Sequence, residues 1–514
     1  MEQTSLGKIP STNKFEQYSH GDLVLKYKAL ESEYFHALKE IYRLKNQNIA
    51  DTQLQLFLEE RVGGLNQDLF GASSEKYKKS EKPKKEPKQR ETPRKKPSER
   101  YPNLPVREVV IDMSSPSCKA CGAEMSGSGM TEDSEQLTVI PKKYEIILQK
   151  RKKYRCSCCH GDLQTALAPV RIMEGSTYSD EMILDVALSK YCDLIPIERY
   201  AAMAARAKVK DIPPHSLIEC THYLADFLIR VYLNLKDGVI SSKIVQSDET
   251  PHRMLEGSNK ASWYLWGFST RNVCYFECHG SRSADVASEV LEHALCEVLV
   301  SDVYTGYGKS VRDINETRKK SNKPEIKSAY CNVHARRYFF RAKENYPESY
   351  FYLDQYVEIY KLEALIKEKP PDQALELRKE MKPLFEAMRD KAMEDLITTP
   401  ERGKLSKAIK YFLENYEGLT VCLENPEVPL DNNSQERLLR SHVVGRKTWY
   451  GTHSERGART AAILFSVVES CKLNQVNPRD YFPAIIEAIK NKKPIFTPEQ
   501  FKRDTAQQEP SVPV

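Results

Sequence analysis

The sequence predicts an α/β protein in which an all-helical insertion interrupts a sheet-containing core. Five apolar runs read as strands, at 243–248, 262–269, 273–278, 297–302 and 326–331. With the helical patterns between them they give three strands, a helix, a strand, a helix and a strand, the order expected of a ribonuclease H-like core. Charged amphipathic helices then fill 349–424. The core would therefore be completed only after this insertion.

Shifts in composition divide the 514 residues into several parts, as expected at roughly 150 residues per domain. The predicted ranges are 1–73 (helical), 74–110 (basic linker), 111–170 (zinc-binding domain), 171–240 (helical), 241–345 (first part of the core), 346–427 (helical insertion), 428–475 (completion of the core) and 476–514 (helix and tail).

The net charge of +6 is concentrated in the linker. Residues 75–100 carry twelve Lys or Arg against five Glu, a local charge of +7, so the rest of the chain carries −1. The linker is either a solvated spacer or a basic arm that contacts nucleic-acid phosphates without reading sequence. No secretory signal and no apolar run of about 18 residues is seen, and the scattered cysteines suit a reducing compartment. These features predict a soluble, cytoplasmic protein.

The amino-terminal segment shows a heptad pattern. Between Leu23 and Leu44 apolar residues recur at alternating steps of four and three, and Asn48 follows in the same register. This pattern is typical of a coiled coil, which would make the protein a homo-oligomer. Packing of the same helix against the protein's own core is the alternative.

Two pairs of cysteines have metal-ligand spacing. Cys118 and Cys121 form one CxxC knuckle, and Cys156 and Cys159 form a second after strand-like sequence at 136–140 and 144–148. Four thiolates in this pattern predict one structural Zn²⁺ ion, since a closed tetrahedron leaves no position for substrate. The fourth ligand could instead be Cys158 or His160, and four unrelated cysteines are the remaining alternative. Helical sequence follows, and 201–224 has the layout of a helix-turn-helix or an ordinary helical hairpin.

The candidate catalytic site combines two aspartates with one glutamate. Asp248 and Asp302 each end an apolar run, and adjacent strands would bring their carboxylates together. Like charges at that distance ionise jointly only around a cation. Glu436, near the start of a predicted helix, would supply the third carboxylate. Three carboxylates can hold two Mg²⁺ ions, with Mn²⁺ as a substitute, for in-line displacement at phosphate.

The surroundings of Glu436 leave alternatives open. Asn433 as N-cap with Glu436 three residues later is also an ordinary capping box. The candidate DNA-binding residues are Arg437, Arg440, Arg446, Lys447, Trp449 and His334. Arg440 would lie one turn after Glu436, and Lys447 in the following loop, where Arg446 and Lys447 could also be a solvated turn. Trp449 could stack on an unpaired base or pack in the core.

These residues carry a resemblance to DDE-type transposases of the insertion sequence 66 family, and it covers nearly the whole chain. The matching pieces are LFGASSEK (69–76), the paired CxxC knuckles, YSDEMILDVALSKYCDLIPIERY (178–200), QSDETP (246–251), DVYTGYG (302–308), CNVHARRYF (331–339), DNNSQERLLR (431–440) and GRKTWYGTHSERGA (445–458). The resemblance implies a ribonuclease H-like domain with a helical insertion, a zinc-finger region and an amino-terminal segment for DNA binding or multimerisation.

The resemblance also implies a catalytic triad of Asp248, Asp302 and Glu436. Cys331 and His334 resemble a CxxH pair of several transposases, for which a structural or DNA-contacting role is expected. The expected activity is cleavage of the element's terminal repeats and joining of the 3′-hydroxyl to target DNA, with accessory proteins of the same element as further partners. A DNA-binding regulator that has lost catalysis and a structure-specific nuclease are the alternatives.

Overall fold

The computed structural model describes residues 96–111, 119–124, 131–140, 142–155, 158, 163–255, 262–366 and 369–508. The chain divides into two compact units, of which the smaller spans 72–149 and the larger includes 150–514. The predicted coiled coil at 1–73 and the first part of the linker lie outside the described residues.

The smaller unit contains a short helix within the range predicted as linker. Helix α1 spans Pro97–Arg100, and the backbone N–H and hydroxyl of Ser98 both donate to the carboxylate of Glu135. The strands predicted at 136–140 and 144–148 are not formed. Their apolar side chains, such as Ile146, are exposed, and an apolar run becomes a strand only where a partner strand or a core covers it.

The first elements described in the larger unit are β1 (Lys153–Arg155) and β2 (Leu163–Thr165), which pair antiparallel. Its main sheet is mixed and has the strand order β5-β4-β3-β6-β7. The strands are β3 (Ile244–Arg253), β4 (Ser262–Ser269), β5 (Cys274–His279), β6 (Val298–Ser301) and β7 (Lys327–Tyr330). Strands β3, β4 and β5 pair antiparallel, whereas β6 is parallel to both β3 and β7.

Strand β3 is longer than the sequence predicts. It was expected to end at Asp248 but continues to Arg253, because β4 pairs with it along its whole second half. Asp248 therefore lies inside the strand, opposite Gly267. Strand β6 pairs with β3 as far as Gln246 and ends at Ser301. At Asp248, the edge of β3 that faces β6 therefore no longer pairs with that strand.

Helices cover both faces of the sheet. Outside 331–432, the described helices of the larger unit are α2 (Asp180–Tyr191), α3 (Ile197–Arg206), α4 (Pro214–Phe227), α5 (Ile229–Ile240), α6 (Ala284–Leu291), α7 (Thr305–Lys320), α13 (Asn433–Trp449), α14 (Glu455–Leu473), α15 (Pro478–Lys490) and α16 (Pro498–Gln508). Ser247 on β3 contacts α7 through Tyr307, while its neighbour Gln246 contacts α13 through Ser434. Since side chains alternate along a strand, α7 and α13 lie on opposite faces.

Between β7 and α13 the chain is helical. The elements are α8 (Asn332–Ala342), α9 (Ser349–Ile366), α10 (Pro371–Thr398), α11 (Lys404–Glu414), α12 (Tyr416–Thr420) and a 3-10 turn (Val421–Leu423). They share a core of aromatic side chains, including Phe339 stacked on Tyr352. This core also includes Val300 of β6 and Ala329 of β7, so the helices are continuous with the edge of the sheet.

The helix, break and helix predicted at 201–224 correspond to α3 and α4, which contact each other. A DNA-reading role for them stays a prediction. Among the helices described, none is both long enough and apolar enough to span a bilayer.

Candidate active site

The strand register places the two aspartates side by side. Gln246 on β3 is the parallel partner of Val300 on β6. Asp248 and Asp302 each lie two positions further along, where the ladder between the strands has just ended. Neighbouring strands are about 4.8 Å apart. The two carboxylates therefore extend from adjacent backbone positions, just beyond the end of the β3–β6 ladder.

Glu436 enters from the first turn of α13, but not as part of a capping box. The N-cap is Asn432 rather than Asn433, and its side chain makes no cap hydrogen bond. Instead, Asp431 Oδ1 accepts from the N–H of Asn433. The predicted capping box is therefore wrong, because Asn432 takes the cap position and is held by tertiary contacts.

Those contacts tie the start of α13 to β3 next to Asp248. Asn432 Nδ2 donates to the carbonyl of Ser247 at 2.8 Å, and Asn432 Oδ1 accepts from Gln246 Nε2 at 3.2 Å. Gln246 Oε1 accepts from the hydroxyl of Ser434. Opposite Asp248, a Cβ on Gly267 would come within 2.1 Å of Gln435 Nε2, so glycine permits the close approach of the helix. The relative position of Glu436 and Asp248 is thus set by buried polar contacts.

A buried histidine pair makes a second tie between the same two elements. His252 Nδ1 and His442 Nε2 are 3.1 Å apart, and one donates to the other. Burial lowers the pKa of His252 to about 4 and that of His442 well below its usual range. Both rings are neutral at physiological pH, which suits a structural contact behind the acidic cluster.

The carboxylates repel one another. Burial, followed by the charges of Glu249, Asp302 and Glu436, raises the pKa of Asp248 to about 8. Burial and the charge of Glu249 also raise the pKa of Asp302. Asp302 Oδ1 is buried without a hydrogen-bond partner in the described part of the chain. An unpaired oxygen among mutually repelling acids is the environment that a divalent cation would stabilise.

We expect the metal-free protein to lose stability as the pH rises from about 4 to about 8. An unfolded aspartate titrates near 3.9, whereas Asp248 titrates at about 8 in the folded chain. Between these values the folded state holds a proton that the unfolded state has lost, so its stability falls with rising pH until the folded state also loses that proton. In EDTA, Asp248→Asn should flatten this slope and raise the Tm at pH 8 by about 2–6 °C.

Thermal unfolding in EDTA across this pH range measures the effect. The matched control is Asp285→Asn, which removes an exposed acid on α6 and should keep the wild-type slope. Equal slopes for Asp248→Asn and the control would contradict the repulsion inferred for Asp248.

Cys331 and His334 lie beside Glu436. In the part of the chain that the structure describes, one group of three potential ligands has its atoms within 4.8 Å of one another, and it is Cys331, His334 and Glu436. His334 Nε2 is 3.9 Å from Glu436 Oε1. The Cys331 thiol is buried and accepts from the N–H of Asn432, and burial raises its pKa to about 12. Asp248 and Asp302 are outside this compact group, so the three acids span a wider space than one ion needs.

Glu249 is an acidic residue that sequence reasoning did not select. Its side chain is 2% exposed and points away from α13, where Arg282 pairs with it and the Tyr307 hydroxyl donates to it at 2.6 Å. Its charge raises the pKa of both Asp248 and Asp302. The available signal was its position directly after Asp248, which places it on the opposite face of the strand.

The predicted DNA-binding cations lie on α13. Arg437, Arg440 and Lys447 are exposed, and Arg446 is half-buried. Arg440 is one turn after Glu436 and shares its face. Lys447 was expected in a loop, but α13 continues to Trp449, so Lys447 is in its last turn. The helix ends before Tyr450, because the left-handed backbone conformation of this residue (φ 68°) cannot continue an α-helix.

Trp449 is half-buried at the end of α13. Its ring packs on Gly445, where a Cβ would come within 2.4 Å of the indole. The ammonium of Lys190 lies 5.5 Å from the ring centroid. One side of the indole thus faces the core and a cation lies against the ring.

Of the four predicted zinc ligands, Cys121 alone is among the described residues. It is exposed, lies in a turn, and is followed by Gly122 at φ 74°. Cys118, Cys156 and Cys159 lie outside the described residues.

Comparisons with known proteins point in one direction. The model of a family described as the transposase IS66 family matches residues 175–460, and that of a zinc-finger binding domain of transposase IS66 matches residues 115–160. Three relatives from Sinorhizobium fredii are named uncharacterized proteins. Protein y4hP is 24% identical over 85% of this chain and 81% of its own length. Protein y4jD is 27% identical over 75% of this chain and 77% of its own length. Protein y4qI is 26% identical over 86% of this chain and 81% of its own length.

Proposed function

We propose that this chain, which belongs to the transposase IS66 family, cleaves the ends of its own mobile element and joins the resulting 3′-hydroxyl to target DNA. The observation that carries this proposal is the convergence of Asp248, Asp302 and Glu436. Two come from adjacent strands and one from a helix that is locked to the first strand. In support, burial and the charges of its acidic neighbours raise the pKa of Asp248, and bound cations would stabilise such a cluster of carboxylates.

A ribonuclease H-like core is the fold we propose for the sheet and its helices. In support, three antiparallel strands are followed by two parallel ones in the order β5-β4-β3-β6-β7. The helical segment between β7 and α13 is the proposed insertion. We also propose the domain limits given by the composition.

The residues that would hold two Mg²⁺ ions, or Mn²⁺ in their place, are Asp248, Asp302 and Glu436. When bound, such ions activate the attacking oxygen and stabilise the leaving oxygen of a phosphodiester. Cys331 is a poor Mg²⁺ ligand, since this ion prefers oxygen, and its contact with Asn432 supports a structural role.

The other residues of the site have binding and positioning roles in this proposal. Asn432 and Gln246 orient the first turn of α13. Arg437 and Arg440 are exposed beside Glu436 and would bind the phosphates of the cleaved strand. His334 lies close enough to Glu436 to contact the same phosphates. Arg446 and Lys447 lie one to two turns beyond Arg440 on α13, and would contact the DNA that flanks the cleaved phosphate.

The proposal is tested by incubating the full chain with duplexes that carry candidate element ends, in Mg²⁺, and scoring hydroxyl release and strand joining separately. Both products are expected. Release without joining would identify a nuclease, and binding without either product would identify a regulator without catalysis. Either outcome would overturn the transposition proposal.

We further propose that the zinc-finger domain binds one structural Zn²⁺ through Cys118, Cys121, Cys156 and Cys159. Replacing both Cys118 and Cys121 by Ser should lower the zinc content by about one ion per chain, because two of four thiolates are lost. Metal analysis of the purified protein measures this change. The control is Cys158→Ser, which should keep the ion. Loss of zinc in the control would move the fourth ligand to Cys158, and unchanged zinc in the double variant would refute the site.

The proposed partners are the terminal repeats of the element, target DNA, further copies of this chain and accessory proteins of the same element. The family and its zinc-finger domain support the DNA partners. The activity would take place on DNA in the cytoplasm.

A further inference from the structure

Two tyrosines form an aromatic pair at the border of the acidic cluster. Tyr338 of α8 and Tyr411 of α11 have ring centroids 4.7 Å apart and an interplanar angle of 31°. Tyr338 is 37% exposed, whereas Tyr411 is partly buried and packs on the core of the helical segment. Tyr411 thus packs between the helical core and Tyr338, and the ring of Tyr338 remains accessible to solvent.

The position of the pair relative to the site follows from α8. Tyr338 is four residues after His334, so the two side chains are neighbours on one face, about 6 Å apart along the helix. His334 Nε2 is itself 3.9 Å from Glu436 Oε1. Arg341, exposed on the next turn, continues the same face.

The charges that act on Tyr411 also indicate that the tyrosine pair lies beside the acidic cluster. Burial raises the pKa of its hydroxyl well above the usual range, and the charges of Cys331, Tyr338 and Asp302 act in the same direction. Tyr411 of α11 therefore lies within electrostatic reach of Asp302, the residue just beyond the end of β6. The pair belongs to the helical segment but borders the site.

We propose that Tyr338, supported by Tyr411, is a stacking platform for an unpaired DNA base next to the scissile phosphate. This inference rests on the proposed function and names how the site holds its substrate. A base that leaves the duplex near a strand end presents a flat face, on which an exposed aromatic ring can stack. Contact with Tyr411 orders the ring of Tyr338 before DNA binds, which lowers the entropy lost on binding.

The platform differs from the one expected at Trp449. There the indole packs on Gly445 and lies against Lys190. Tyr338 combines an accessible ring with an ordered aromatic support and lies one turn from His334. It is therefore the better candidate for stacking in this part of the structure.

The test uses a DNA duplex with a short 3′ single-stranded overhang that carries 2-aminopurine, in Ca²⁺ instead of Mg²⁺. The fluorescence of 2-aminopurine falls when the base stacks on an aromatic ring. Wild type and Tyr338→Phe, which keeps the ring, should quench it. Tyr338→Ala and Tyr338→Leu should not, and should bind the overhang about tenfold more weakly. The leucine variant keeps an apolar contact to Tyr411 and guards against loss of folding.

The matched control is Tyr350→Ala, which removes an exposed tyrosine (50%) from α9 and should quench like wild type. Quenching by Tyr338→Leu at the wild-type level, or none by wild type, would overturn the platform. Because the assay needs no cleavage, its result is separable from that of the proposed function. Quenching by a wild type that forms no product would keep the platform and refute transposition.

Discussion

Asp248→Asn, Asp302→Asn and Glu436→Gln are each expected to lower Mg²⁺-dependent cleavage and strand joining by about a thousandfold or more. Each substitution keeps the size of the side chain but removes the negative charge that would hold a cation, and metal ions supply several kcal/mol of transition-state stabilisation in such reactions. DNA binding should persist, because the exposed cations of α13 are unchanged. Cleavage, joining and electrophoretic mobility shift are measured on the same duplexes.

The control for these variants is Glu427→Gln, which removes an exposed acid from the segment before α13 and should leave all three measurements unchanged. Glu436→Gln should also keep α13 in place, since Asn432 and not Glu436 holds its first turn. Wild-type amounts of product from any of the three variants would remove that residue from the proposed triad.

Local pattern predicted the strands of the sheet well. An apolar run that ends in an acid is a strong local signal, and β6 with Asp302 just beyond it follows that pattern. The extension of β3 to Arg253 was missed, because the run from Thr250 contains Pro251 and reads as a turn. The length of β4 decides this boundary, and partner length is not visible in the sequence of β3 itself.

Contacts between distant residues could not be predicted. Spacing alone selected Asn433 as the helix cap, whereas bonds from Gln246 and to Ser247 place Asn432 there. The pairing of Tyr338 with Tyr411 joins α8 to α11, and no short motif contains both. The site is therefore predictable where one element carries the signal and not where two elements must meet.

Arg378→Met is expected to destabilise the chain by about 3–5 kcal/mol, the effect typical of breaking a buried ion pair from one side. Arg378 on α10 is 1% exposed, pairs with Glu363 of α9 and donates to the carbonyl of Val428 at 2.9 Å. Burial raises the pKa of Glu363, and Arg378 acts in the opposite direction. Without the arginine, the carboxylate would be left buried without its countercharge, with the N–H of Leu430 as a remaining donor. Urea denaturation measures the loss.

The double variant Arg378→Met with Glu363→Leu should recover most of that stability, since two apolar side chains can replace a buried pair at little net cost. The exposed neighbour Lys379 gives the control, because Lys379→Ala breaks a surface pair with Glu376 and should cost less than about 1 kcal/mol.

The bond from Arg378 to Val428 adds a functional consequence. Val428 lies in the segment that leads from the helices into α13, so Arg378 helps to position the helix that carries Glu436. The double variant removes this bond as well. It should therefore recover stability but not full cleavage, with DNA binding retained. Full cleavage by the double variant would show that the segment before α13 is positioned without Arg378, and a double variant no more stable than Arg378→Met would show that the buried pair is not the source of the loss.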